Sequence, residues 1–314
     1  MRRPVLAFLI FVFMVSGAAA EVQYSIEADS QVIGKNATVV LECSTGTCPG
    51  LTWTLEQNAE VLQVRDSRGE ISYSREGNEL TIPGRRFTSQ EERVIRIWTR
   101  IPRDAEEIHA GLYKRTLQLS GFPGEKTTGS IHVKNLLSGW TAFGVEESFT
   151  NNTMRFRGTG PVNIRVKFGE GYETRYFSFF GGRPEDTGIA YEVSIGTTGV
   201  VQQFERFPVA VMDDETFDRK VNEWSAGEYV SGAIQIRAPG AMEGSFRAVL
   251  AHEVVHGLND RLLNWDQTRS SYFDEGTGKY VEFLVQKKLY REGRVERPPA
   301  ELFGDSVRYD PDPS

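Results

Sequence analysis

The sequence predicts a mixed α+β protein in which an antiparallel β-sandwich precedes a domain whose helices lie late in the chain. Short runs of alternating polar and apolar residues recur from Val22 to about Phe180, separated by turn dipeptides such as Gly-Asn and Pro-Gly. Beyond this region, continuous apolar runs alternate with helical patterns. A length of 314 residues suits two domains. We therefore place the β-sandwich at residues 21–182 and an α+β domain at residues 183–314.

The first twenty residues predict a signal peptide. Arg2 and Arg3 precede an apolar run from Val5 to Val15, and three alanines from Ala18 to Ala20 form a small-residue cleavage site. The run is short for a membrane span, so we expect cleavage and export rather than the alternative, an uncleaved N-terminal anchor. Cleavage would take the net charge from -7 to -9, since both arginines leave. This acidity argues against nucleic acid or an anionic membrane as a partner.

The chain has two cysteines, Cys43 and Cys48, on either side of a Ser-Thr-Gly-Thr loop. In an exported protein, two cysteines at this spacing favour one local disulfide. A zinc site there would need two further ligands, and no histidine is near. We therefore predict a disulfide between Cys43 and Cys48.

The second domain begins with a segment of mixed pattern and two buried strands. A helix is expected within residues 190–207, "AYEVSIGTTGVVQQFERF". The continuous apolar run "FPVAVMDD" predicts a strand buried on both faces. The segment "ETFDRKVNEW" predicts a helix, and "YVSGAIQIR", residues 229–237, predicts one further strand.

Two long helices are expected to close the chain. The first covers "GSFRAVLAHEVVHGLNDRLL", with Ser245 as its N-cap. One face of this helix carries an apolar stripe, formed by Ala248, Ala251, Val255, Leu258 and Leu262. The second helix is expected from about Asp274 to Tyr290.

The first of these helices contains the motif "HEVVH". His252 and His256 are four residues apart and so share one helix face, with about 5–6 Å between their Cβ atoms. Two imidazoles at this spacing supply two corners of the tetrahedron that zinc prefers. Glu253 is rotated by about 100° around the helix, where it can reach a water beside the metal as a general base. The alternative is a chance match on a buried helix, which is rare in a chain with four histidines.

The third metal ligand must be a carboxylate, because neither histidine nor cysteine follows His256. The lack of a histidine after His256 excludes the metzincin pattern, whose third histidine would stand at Leu262. Asp260 lies eight residues beyond His252, a helical rise of about 12 Å, so it cannot share the ion with both histidines.

Asp274 and Glu275 open the next predicted helix, and either can be aimed at the metal. The pattern favours Glu275, because Tyr280 and Phe283 then lie on the face of this helix that packs against the preceding helix.

The motif "HEVVH", the eighteen residues after it and "YFDEGTGKYVE" together resemble the gluzincin zinc metallopeptidases of the thermolysin-like superfamily. They are most similar to the aminopeptidase N branch, with its "W-x-x-E-G-x-A-x-Y-x-E" helix. The resemblance implies one Zn²⁺ per chain, held by His252, His256 and Glu275, and a peptide or protein substrate. It also implies that Glu282 orients one of the zinc-binding histidines.

The same resemblance implies further site residues. "SGAIQIR" stands where these enzymes place an edge strand that pairs with the substrate backbone, so Gly232 and Ala233 are expected to contact substrate. "GAMEG" imitates an amine-binding motif, although it precedes the active-site helix directly, and it makes Glu243 a candidate for binding the substrate amine. Tyr290 and Tyr309 are the candidates for stabilising the oxyanion.

Two departures from the family pattern are Tyr272 in place of tryptophan and Gly278 in place of alanine, where glycine would weaken the helix by up to about 1 kcal/mol.

The sequence thus predicts an exported zinc metallopeptidase with a β-sandwich in front. One alternative is a gluzincin-like binding or assembly module that keeps zinc but catalyses weakly. The other is a β-rich adhesion or surface-layer protein with an accidental motif. The peptide cleaved, endo- versus exopeptidase action and the oligomeric state stay open.

Overall fold

The computed structural model describes residues 20–43, 47–86, 92–141, 144–200, 206–221, 225–239, 245–263 and 267–296. Within these ranges the chain forms twenty strands in four sheets and four helices. The predicted α+β class is therefore confirmed.

Fifteen strands build the β-rich N-terminal half. They are β1 (Ala20–Ala28), β2 (Val32–Glu42), β3 (Leu51–Thr54), β4 (Glu60–Asp66), β5 (Gly69–Glu70), β6 (Ser74–Glu76), β7 (Glu79–Ile82), β8 (Glu92–Pro102), β9 (Glu106–His109), β10 (Leu112–Leu119), β11 (Lys126–Val133), β12 (Leu136–Thr141), β13 (Glu146–Thr150), β14 (Thr153–Thr159) and β15 (Val162–Phe168).

These strands form three sheets around one core. Their orders are β13-β14-β11-β1-β2-β8-β4-β5, β12-β15-β10-β9 and β3-β7-β6. The pairing within them is antiparallel except between β1 and β11. Strands such as β2 and β8 bury every second residue, so one face of each sheet is apolar. Ile97, Ile164 and Leu80, one from each sheet, belong to the same buried cluster.

The remaining five strands form a separate sheet in the C-terminal half, referred to below as the second sheet. These are β16 (Tyr172–Glu173), β17 (Phe177–Phe180), β18 (Phe207–Met212), β19 (Gly227–Val230) and β20 (Ala233–Arg237), in the order β16-β17-β18-β20-β19. The inner strands β17, β18 and β20 run parallel. All residues of β17 and β18 are buried, and for β18 its continuous apolar run predicts this.

The position of β17 corrects one expectation. We grouped "TRYFSFF" with the sandwich strands, but β17 pairs in parallel with β18 and so belongs to the second sheet. A run of four buried residues suits an inner parallel strand with both faces covered, whereas the sandwich strands alternate. The boundary at residues 182 and 183 stays a prediction.

Residues 229–237 do not form the single strand that the sequence predicts. They contain the last two residues of β19 and all of β20, joined by a turn at Ser231 and Gly232. The φ angles of these residues are 44° and 91°, and two consecutive positive φ values are what a two-residue hairpin requires. As a result β20 lies inside the sheet and β19 forms its edge, so the prediction of an edge strand at "SGAIQIR" is wrong.

The second half contains four helices: α1 (Gly188–Thr198), α2 (Asp214–Lys220), α3 (Phe246–Leu263) and α4 (Gln267–Arg291). α3 packs against β19 and β20, and α4 packs against α3 and α1. The predicted stripe on α3 is buried at Ala248, Ala251, Val255 and Leu258, each 0% exposed, while the side chain of Leu262 lies outside the described residues. α3 begins directly after Ser245.

Helix α4 begins at Gln267, seven residues before the expected Asp274. Asp274 and Glu275 therefore lie within the helix and not at its start, which holds their backbone rigidly beside α3. Among the described residues, the helices include none long and apolar enough to cross a membrane.

The predicted disulfide is confirmed, since Cys43 and Cys48 are bonded to each other.

The hydrophobic core of the C-terminal half depends on aromatic packing around Phe177. The centre of its ring lies 6.5 Å from that of Tyr191 and 6.3 Å from that of Phe207. We expect Phe177→Ala to lower the free energy of unfolding by about 3–5 kcal/mol, because it empties a fully buried site. Urea denaturation measures this. Leu62→Ala, at a side chain that is 63% exposed, is the control and should change stability little. Equal effects of the two substitutions would contradict the assignment of this core.

Candidate metal centre

Helices α3 and α4 bring three candidate ligands together. The ligand atoms of His252, His256 and Glu275 all lie within 4.8 Å of one another. Nε2 of His252 is 3.3 Å from Oε2 of Glu275, and Nε2 of His256 is 3.5 Å from Oε1 of the same carboxylate. In a tetrahedron with bonds of about 2.1 Å, neighbouring donor atoms lie about 3.4 Å apart. The three side chains therefore fit a single zinc ion.

The outward-facing nitrogen of each histidine meets a carboxylate. Nδ1 of His252 lies 3.4 Å from Oε2 of Glu282, and Nδ1 of His256 lies 2.6 Å from Oδ2 of Asp274. Asn259 donates a hydrogen bond of 2.7 Å to the other oxygen of Asp274. A carboxylate at Nδ1 favours the tautomer with its proton on that nitrogen, which leaves the Nε2 lone pair free for a metal. The arrangement places Asp274 beside a histidine and Glu275 at the ligand position.

The electrostatics of the site suit a divalent cation. Burial lowers the pKa of His252, but its contacts with Glu275 and Glu282 outweigh burial and raise that pKa to about 9. Asp274 adds a third carboxylate beside the two imidazoles. Lys279 donates a hydrogen bond of 2.9 Å to Glu282 and offsets only part of this negative charge. A group of carboxylates around neutral imidazoles attracts a metal dication for the same reason that it attracts a proton.

Glu253 is buried beside the ligands, with 5% of its surface exposed. Its pKa is raised to about 7, chiefly by burial; His252 and His256 oppose this rise, and Glu275 and Glu228 add to it. A Zn²⁺ held by the histidines would lower this pKa, because a nearby positive charge favours the carboxylate. With metal bound, Glu253 would be ionised at neutral pH and able to accept a proton.

Two glycines permit close packing around this centre. A Cβ at Gly227, on β19, would lie 2.9 Å from Cγ of Glu253 and 3.0 Å from its Oε1. A Cβ at Gly278, on α4, would lie 2.9 Å from Nδ1 of His252. The sequence suggested only that Gly278 weakens α4. The structure adds that glycine allows the α4 backbone to pass directly against the histidine ring.

Glu228, on β19, affects the electrostatics of the site, and the sequence analysis missed it. Partial burial raises the pKa of its carboxyl group, and its charge helps to raise the pKa of Glu253. Reading residues 229–237 as one strand left Glu228 outside any element. The positive-φ turn at Ser231 and Gly232 is the signal that would have revealed a hairpin ending beside the site.

Of the other candidate residues named from the sequence, the structure describes Gly232, Ala233 and Tyr290. Gly232 is in the hairpin turn, and Ala233 begins the inner strand β20. Glu243 and Tyr309 lie outside the described residues. Tyr290 is exposed near the end of α4, fifteen residues and about 22 Å of helix beyond Glu275, which places it away from the metal ligands. Asp260 accepts a hydrogen bond of 3.3 Å from the hydroxyl of Tyr229.

Comparison with known proteins finds only distant structural likeness. No family model matches the chain, and no curated protein matches its sequence. An M1 zinc metallopeptidase from Deinococcus radiodurans is similar at 12% identity and a TM-score of 0.38, with 94% of this chain and 76% of that chain covered. Native yeast LTA4 hydrolase is similar at 14% identity and a TM-score of 0.35, with 87% of this chain and 49% of that chain covered. At such scores activity must rest on the residues of the site itself.

We expect elemental analysis to find one zinc per chain, and we expect His256→Ala to lose it, because the variant lacks one of three ligands. His132→Ala is the control. The His132 ring bonds Thr153 at 3.1 Å, away from the centre, and its removal should leave the zinc in place. Absence of zinc from the unaltered protein after zinc-supplemented refolding would contradict the site.

Two alanine substitutions in one helix test the fit of the histidine ring. Gly278→Ala should weaken zinc binding by about 10- to 100-fold, because the new Cβ displaces His252 from its carboxylate. Gly276→Ala has no atom within 4 Å of the new Cβ and should leave affinity unchanged while stabilising α4 by about 1 kcal/mol. Competition with a chelator gives the two affinities. Equal affinities would mean that the ring tolerates the added methyl group.

Proposed function

We propose that this protein is a zinc metallopeptidase that hydrolyses peptide bonds with water as the nucleophile and Glu253 as the general base. The observation that supports it best is the placement of Glu253. This carboxylate is buried between the three convergent metal ligands and the edge of a sheet.

His252, His256 and Glu275 would hold the metal. Two imidazoles and one carboxylate are the ligand set of an open catalytic site and not of a closed structural one. Zn²⁺, when bound, supplies a Lewis acid that polarises the scissile carbonyl group and makes a water more acidic. This ligand set favours an enzyme over a module that keeps zinc only for assembly.

Glu253 would carry the proton during hydrolysis. Its carboxylate takes a proton from the attacking water and returns it to the amine that leaves. Its burial keeps bulk water from competing for this carboxylate. Since Glu253 follows His252 directly, the rigid α3 backbone holds the base at a constant position beside the ligands.

The edge strand β19 offers a place for the substrate backbone. Ala226 accepts a hydrogen bond of 3.2 Å from the Arg237 amide. Because alternate residues of an antiparallel strand bond the same neighbour, Gly227 and Tyr229 direct their N–H and C=O groups away from β20. The Gly227 carbonyl oxygen accepts a hydrogen bond from the Ser225 hydroxyl, which a bound peptide would have to replace. An extended peptide can add to such an edge as a further strand. Since Gly227 also contacts Glu253, a peptide bound there would lie beside the general base.

We further propose that the peptidase acts outside the cytoplasm. The apolar segment within residues 1–20 supports export, and so does the disulfide between Cys43 and Cys48, since such bonds persist in oxidising compartments.

Glu253→Gln separates catalysis from metal binding. We expect the variant to keep its zinc and to lose about 10²- to 10⁴-fold in peptide hydrolysis, because the amide cannot accept the proton. Mass spectrometry of a broad peptide library measures cleavage, and elemental analysis measures zinc. Glu79→Gln, at an exposed residue of β7, should change neither.

Three results would count against the proposal. Full hydrolysis by zinc-loaded Glu253→Gln would refute the role of Glu253. Zinc without cleavage in the unaltered protein would support the weakly catalytic module. The absence of both would mean that the motif is accidental.

A further inference from the structure

Lys167 of β15 is buried where the alternation of that strand predicts exposure. Asn163 and Arg165, on the same face of the strand, are exposed, but Lys167 is only 2% exposed. The β19–β20 hairpin of the C-terminal half covers this end of β15. A buried ammonium group requires hydrogen-bond acceptors, and the hairpin provides them.

The acceptors lie in the hairpin turn. The Lys167 ammonium group donates to the carbonyl oxygens of Val230 and Ser231. Arg165 Nη1 donates to the hydroxyl of Ser231 at 2.9 Å, and its guanidinium group lies over the Trp140 ring at 5.2 Å. We refer to Lys167 and Arg165 together as the turn clamp.

This turn has a backbone conformation that needs support. Ser231 has a φ of 44°, a region that a residue with a side chain rarely adopts. The hydrogen bonds from the turn clamp meet both the backbone and the side chain of this residue. Because Val230 is the last residue of β19, the clamp also sets the position of the edge strand.

We propose that Lys167 and Arg165 are positioning residues through which the N-terminal half holds the edge strand at the site. This inference rests on the proposed peptidase function. Gly227, at the other end of β19, lies so close to Glu253 that an added Cβ would come within 2.9 Å of its Cγ, and the four residues of β19 connect Gly227 to the clamped turn. Loss of the clamp would let the strand move relative to Glu253, while the zinc ligands on α3 and α4 stay in place.

A positioning role and a merely structural role differ in their kinetics. If the clamp only joined the two halves, its loss would lower stability and leave the kinetic constants of the folded protein unchanged. If it positions the strand that binds the substrate backbone, its loss raises KM far more than it lowers kcat.

The variants are Lys167→Met, which removes the charge at similar length, Lys167→Arg, which restores it, and Arg165→Ala at an exposed residue. Lys114→Met is the matched control. Lys114 lies directly opposite Lys167 on the neighbouring strand β10, and it pairs with Glu106 at 2.9 Å. Each full-length variant is assayed for zinc content, for KM and kcat on a peptide that the unaltered protein cleaves, and for amide hydrogen exchange in residues 227–233.

We expect Lys167→Met to keep one zinc, to raise KM about tenfold with a much smaller change in kcat, and to exchange its hairpin amides faster than Lys114→Met does. Lys167→Arg should recover much of the KM, and Arg165→Ala should show a smaller effect in the same direction. Hairpin exchange equal to that of the control, or an unchanged KM in Lys167→Met, would overturn the inference. Failure of the proposed function would appear separately, as a lack of peptide cleavage by the unaltered protein.

Discussion

The geometry of the site depends on one contact between α3 and α4. At this contact the His252 ring packs against the backbone of Gly278. A Cβ at Gly278 would come within 2.9 Å of that ring, so the two helices approach as closely as the imidazole permits. At this separation Glu275 reaches Nε2 of both histidines, and Glu282 and Asp274 reach their Nδ1 atoms. One helix contact therefore sets both the ligand distances and the histidine tautomers.

The rest of the second half supports this helix pair. α3 buries its apolar stripe against the second sheet, which prevents rotation of the face that carries the two histidines. On the other side, the edge strand β19 approaches Glu253 because residue 227 is glycine. The general base thus lies between the candidate metal ligands and β19, which ends the order of this sheet among the described strands, and the N-terminal half contacts that strand through its turn.

Much of this arrangement could be predicted from local patterns. The stripe on α3, the buried strand β18, the local disulfide and the "HEVVH" spacing each depend on residues close together in the chain. The hairpin of β19 and β20 was missed, because its one turn signal, the dipeptide Ser231-Gly232, lies within a run that otherwise has the pattern of a single strand. The same missed turn hid Glu228 and misplaced the edge of the sheet.

The sequence by itself determined the chemistry available to this protein: two histidines on one helix face, a glutamate beside the first, and a carboxylate as third ligand for want of any other donor. Helical periodicity is a short-range property, so these conclusions required no knowledge of the fold. The sequence pattern also favoured Glu275 over Asp274 as that ligand. Only the tertiary structure decided that Asp274 lies beside Nδ1 of His256, and that β19 and not β20 lies at the edge of the sheet. Both outcomes depend on how separate elements pack, which local pattern does not reveal.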